Sequence, residues 1–212
     1  EEFYSDFFSI NSIQEINNIG KPKGMRWEYL DSDIKSIINH AGGDFTLAIT
    51  DVPLESNYYL RRIDNNICIL TTFDMAAIMF EKNYSLEQFI LRNLYSLVIM
   101  YRAIQTVKPD HSWSHEQIKH CFFDKNVYKT DILFSMESPI ICDECKSRLA
   151  TKQLPGKFAD SIVKEYGKIK RPFLYRANEY VKNNLLISIL IAAAVTISLN
   201  IVANVLTSAL FS

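Results

Sequence analysis

The chain has no marked excess of charge of either sign: 23 Lys and Arg stand against 24 Asp and Glu, a net charge of -1 with His neutral. A nucleic-acid binder more often carries a strong basic excess, so no nucleic acid is expected as a partner. The sequence also lacks a phosphate-cradling P-loop, the GxGxxG turn of dinucleotide sites and the GxSxG elbow of hydrolases. The usual seats of nucleotide and acyl chemistry are therefore missing. Nor is there an N-terminal apolar stretch of the signal-peptide kind, which argues for a cytoplasmic soluble part.

A zinc-peptidase signature is missing too, although HEQIKHC at 115 to 121 resembles one at first sight. HExxH works because histidines four apart share one helix face beside a glutamate base. His115 and His120 are five apart, and at ~100° per residue a regular helix turns their rings roughly 140° away from each other. Other candidate acids, Asp51, Asp74 and Asp131, are scattered and read as caps or turn residues. The expectation is a protein without catalysis. The alternative is a membrane-tethered metallopeptidase in which Glu116 is the base and His115 and His120 bind zinc across a helix bulge.

What is present begins with size: 212 residues, 48% hydrophobic and 22% charged, suffice for one sizeable core. Asp31 to His40 has isoleucines at helical spacing and stops at Gly42-Gly43. Phe45 to Thr50 and Asn66 to Thr72 read as strands, the second buried on both faces with Cys68 as a small core hydrophobe. Ser85 to Gln105 opens with a capping box at Ser85 and Gln88 and carries a broad apolar stripe, which predicts the central helix. The fold class expected is α/β (α+β).

Cysteine is scarce, with 4 in the chain, and in a reducing compartment these are not expected to form disulfides. Cys142 and Cys145 form a CxxC half-site, whose spacing lets two thiolates reach one tetrahedral ion. Cys121 is the natural third ligand, and His120 or His115 the fourth, with His111 a weaker candidate. The ligand set expected is Cys121, Cys142, Cys145 and His120, closing around a structural zinc.

The stretch from Leu185 to Phe211 contains no charged residue. Its roughly 27 residues would make a helix of about 40 Å, enough to span a bilayer with tilt. A transmembrane helix is therefore expected, preceded by Lys164, Lys168, Lys170, Arg171, Arg176 and Lys182, which places the soluble part in the cytoplasm of a single-pass inner-membrane protein. Ala193, Thr196, Asn200 and Asn204 are placed to form a helix seam, predicting homo-oligomerisation within membrane lipid. The expected division is a domain at 1–156, a basic juxtamembrane connector at 157–183 and the span at 184–212.

FTLAITDVPL, then a long apolar helix, then HC and CxxC, together resemble an archaemetzincin-type zincin over residues 44 to 149. The resemblance implies a zincin-like domain in which Cys121, Cys142 and Cys145 match the structural zinc of that family. Asn126 stands where the family has a further cysteine. The helix around Asn93 to Tyr101 lacks the histidines and glutamate of a catalytic zinc, which implies a pseudo-enzyme. The function expected is a membrane-anchored sensor or interaction protein binding a partner or ligand, by analogy with bacterial defence and stress effectors; a tail-anchored adaptor is a further alternative.

Overall fold

The computed structural model describes all residues except 1–3, 17, 18, 23, 25, 41, 65, 110–112, 117, 170–179, 182, 183 and 212, and the side chains from 202 onward. Two units separate, Glu1–Lys170 and Arg171–Ser212.

In the first unit the elements are α1 (Asp31–Lys35), β1 (Thr46–Thr50), β2 (Leu60–Ile63), β3 (Ile67–Thr71), α2 (Met75–Glu81), α3 (Leu86–Ile104), α4 (Ile132–Glu137), α5 (Asp143–Thr151) and α6 (Gly156–Tyr166). The protein is α/β, with a 3-stranded sheet in the order β1-β3-β2. β3 pairs parallel with β1, Thr46 opposite Ile67, and antiparallel with β2, Ile63 opposite Ile67. Side chains alternate across a strand. Ile67 and Ile69 thus join Ile34 and Ile38 on one face, while Cys68 and Leu70 join the clusters containing α3 on the other. Every residue of β3 is buried, as its continuous apolar run predicts.

α3 begins as the capping box requires: Gln88 N donates to Ser85 Oγ at 3.1 Å and Ser85 N donates to Gln88 Oε1 at 3.2 Å. Phe89, Tyr95, Leu97 and Ile99 are fully buried along it. α6 packs against this helix, with the Tyr166 ring 5.8 Å from Tyr95 and 5.4 Å from Phe122. Glu165 of α6 accepts hydrogen bonds from Tyr95 Oη at 2.5 Å, Ser5 Oγ at 2.6 Å and the Asp6 backbone N at 3.2 Å. The start of the chain is thereby fastened to two helices.

Three expectations need correction. First, among the described residues no helix is long and apolar enough to cross a membrane. The helix of the second unit is α7 (Leu185–Phe211). The transmembrane helix in the expected fold class and the single-pass inner-membrane location built on it are withdrawn. Second, α6 and Ile169 belong to the core of the first unit, so residues 157–169 are not a connector. Third, β2 was not foreseen. Arg61 and Arg62 disguise it, as charged residues often do in edge strands; Arg61 pairs with Asp31 at 2.6 Å.

Ala193, Thr196 and Asn200 are exposed on α7, and the Thr196 hydroxyl donates to Ala192 O within its own helix at 2.8 Å. The side chain of Asn204 lies outside the described residues, as do Arg171, Arg176 and Lys182.

Replacing Ser85→Ala removes the cap of α3 and is expected to cost about 1 kcal/mol of stability, measured by chemical denaturation with an unchanged m-value. Burial pushes the Cys68 thiol up to about 12. Native protein treated with iodoacetamide at neutral pH is expected to leave Cys68 unmodified by mass spectrometry, whereas unfolded chain is modified there. Because the folded pKa lies above the unfolded one, this thiol contributes a loss of stability as pH rises above about 9. It contributes none near neutrality.

Candidate metal centre

Between α3 and α4 the chain travels from Gln105 to Tyr128 with no helix or multi-residue strand among its described residues. Single backbone bridges shape it instead. His115 N donates to Phe123 O at 3.0 Å and Lys125 N donates to His115 O at 2.9 Å, turning the loop back on itself. Phe122 N donates to Ile140 O at 3.1 Å and Ile140 N donates to His120 O at 3.0 Å, tying the loop to the strand-like residue just before α5. Cys142 is the residue that caps α5, and Cys145 lies one turn inside it.

These ties converge four donors. His115, Cys121, Cys142 and Cys145 are all buried, and their ligand atoms lie within 4.8 Å of one another. His115 Nε2 is 3.2 Å from Cys121 Sγ and 3.4 Å from Cys142 Sγ, and Cys121 Sγ is 3.9 Å from Cys145 Sγ. In a tetrahedral zinc site with the usual bond lengths, nitrogen and sulfur stand about 3.6 Å apart and two sulfurs about 3.8 Å apart. These three separations lie near those values. All four cysteines are free thiols. Soft sulfur donors with one imidazole favour a thiophilic divalent ion over magnesium or calcium.

The electrostatics of the cluster centre on Cys121. Its thiol is held well below the ordinary value, first by the hydrogen bond shared with Cys145, against the opposing effect of burial, and further by the backbone N–H groups of Cys142 and Phe123 and by His115. Cys145 is pushed up by the same shared hydrogen bond and by burial, and Cys142 is pushed up mainly by burial. The amino-terminal turn of α5 adds a favourable dipole for negative sulfur.

Of the sequence-derived ligand set, the structure brings Cys121, Cys142 and Cys145 together and leaves His120 outside the cluster. His120 has a positive φ of 77°, which turns its side chain away from the cluster. Its Nδ1 lies 2.8 Å from Phe134 O, and its ring packs edge-on to Phe134 at 5.4 Å. His115 takes the place instead, because the bridge to Phe123 aims it inward. His115 Nδ1 is buried with no partner among the described residues. His111 lies outside the described residues. Glu116 is exposed and pairs with Lys125 at 2.8 Å, which holds its carboxyl below the usual range. The arrangement that the metallopeptidase alternative needs, with Glu116 and both histidines around one ion, is not assembled.

Against known proteins, no family model, no curated protein and no solved structure matches the chain.

The Cys142→Ser, Cys145→Ser double variant is expected to lose bound metal by elemental analysis. His115→Ala should weaken metal binding by well over tenfold, since it removes one of four ligands from a strongly bound ion. His120→Ala should leave the affinity within about twofold. Chelator competition on both histidine variants checks the assignment, and equal effects would overturn it.

Proposed function

We propose that this chain is a non-catalytic binding protein whose domain is stapled by a structural zinc held by His115, Cys121, Cys142 and Cys145. The observation that carries the reading is the buried tetrad of protein donors whose ligand atoms lie within 4.8 Å of one another. Four protein ligands close the sphere of a zinc ion, whereas catalytic zinc keeps a position for water or substrate. The ion's part here is mechanical: it supplies bonds that join the loop to the start of α5, and binding energy becomes folding energy.

A groove beside the staple supports the binding role. It has a volume of about 810 Å³ and lies between β2 and the segment from Pro109 to Lys129, with Arg92, Ser96 and Met100 of α3 forming its floor. That volume is within the range that accommodates small ligands or a short stretch of a partner chain. β2 pairs with β3 only, so its outer edge faces this groove. Trp113, Phe122 and Phe123 line the groove from the same loop that carries His115 and Cys121. Loss of the staple would therefore disturb one wall of the groove.

Elemental analysis of the full chain should return one zinc per chain. At free zinc 100-fold above its Kd, bound zinc stabilises the fold by about 2.7 kcal/mol, read as a fall in Tm on adding chelator. Glu116→Gln should keep both the zinc and the Tm. Well-folded protein without any metal would sink the proposal, and zinc that leaves when Glu116 is changed would favour the peptidase.

A further inference from the structure

A divalent ion bound by three thiolates and one neutral imidazole carries a net charge of minus one. All four ligands are buried, so this charge sits away from bulk water. An isolated buried charge is costly, and buried ions are normally paired. The charged groups on α5 do not meet the need. Asp143 and Glu144 are exposed and negative; Arg148 is engaged by Glu144, and Lys146 by Asp160 at 2.9 Å.

Arg92, on α3, presents the complementary problem. Its residue is only 2% exposed, yet among the described residues no carboxylate lies within ion-pairing distance. Its nitrogens donate only to neutral acceptors: Ser135 Oγ at 2.9 Å, Asn93 Oδ1 at 3.4 Å, Phe122 O at 3.0 Å and Cys121 O at 3.5 Å. Its guanidinium also lies 5.5 Å from the centre of the Phe122 ring. These contacts satisfy the N–H groups but leave the positive charge uncompensated. One of them is the backbone of a metal ligand.

We infer that Arg92 is the counter-charge of the metal centre and a positioning residue for it: its Nη2 donates to the Cys121 and Phe122 carbonyls while its charge balances the buried thiolate–metal unit. The inference rests on the zinc reading above. Two buried charges of opposite sign attract strongly at the low effective dielectric of a protein interior. Carbonyl hydrogen bonds from a planar guanidinium also fix the direction in which Cys121 presents its sulfur. Outer partners of this kind commonly change metal affinity by 10- to 100-fold (order of magnitude).

The test compares zinc affinity, by chelator competition at one pH, in the full chain and in a Cys142→His background. Replacing that thiolate by imidazole makes the centre neutral while keeping four ligands, as in Cys2His2 sites. Arg92→Gln is expected to weaken zinc binding by roughly tenfold or more in the native centre and by less than about threefold in the neutral one. Equal losses in both backgrounds would assign Arg92 a packing role and overturn the counter-charge. Arg92→Lys, which keeps the charge but gives up the guanidinium hydrogen bonds, should weaken the native affinity by clearly less than about tenfold. A tenfold loss there overturns the inference even if Arg92→Gln does not fold. An unsubstituted chain that binds no zinc fails the zinc reading itself, whereas a zinc-bound chain indifferent to Arg92→Gln fails only this inference.

Discussion

The path from Gln105 to Tyr128 is the constraint on which the rest depends. Segments without secondary structure seldom exceed about 12–15 residues in a compact domain, and this one must be held against α3 by a few point contacts. The backbone bridges at His115 and Phe122, the carbonyls held by Arg92 and the Cys/His tetrad supply those contacts. Without them Phe122 and Phe123, both buried, would lose their fixed places in the core. Removing a buried phenyl group from such a core costs about 3–5 kcal/mol, so the loop is a structural part of the domain as well as the carrier of its site.

α3 is the surface against which everything is fixed. It contributes Phe89 to one cluster and Tyr95, Leu97 and Ile99 to another, and it reaches the sheet, α4, α6 and the metal loop. Its polar buried residues are connectors. Arg92 joins it to Ser135 of α4 and to the metal loop, and Tyr95 joins it through Glu165 to α6 and the start of the chain. A helix whose buried face held only apolar groups would pack as tightly but would specify the loop's position less uniquely, because dispersion contacts tolerate small shifts that directed hydrogen bonds do not.

Much of this was legible from local pattern. β3 reads as a buried run, α3 as a capped stripe, and Cys142 with Cys145 as a half-site. Other elements were not. β2 is hidden by Arg61 and Arg62, whose charges point to an edge strand only once Asp31 is known to stand opposite. α5 begins at the CxxC and has a polar composition with little apolar stripe to reveal it. The stretch holding α6 reads as helix-prone but as a basic connector, although Phe158, Ile162 and Tyr166 at helical spacing carried the signal of a packed face. The uncharged run from Leu185 reads as a membrane span from sequence, whereas among the described residues no helix is long and apolar enough to cross a membrane.

The sequence by itself determined which residue types can meet at the site: three sulfurs with spacings that suit one ion, and two histidines of which one joins them. The tertiary structure alone decided which. His120 is adjacent to Cys121, yet its backbone conformation sends the ring to Phe134 O, while His115 arrives through the bridge to Phe123. Periodicity encodes neighbours along a helix or strand, because their geometry repeats. The closing of an irregular loop has no repeat, so only its long-range hydrogen bonds reveal which side chains it brings together.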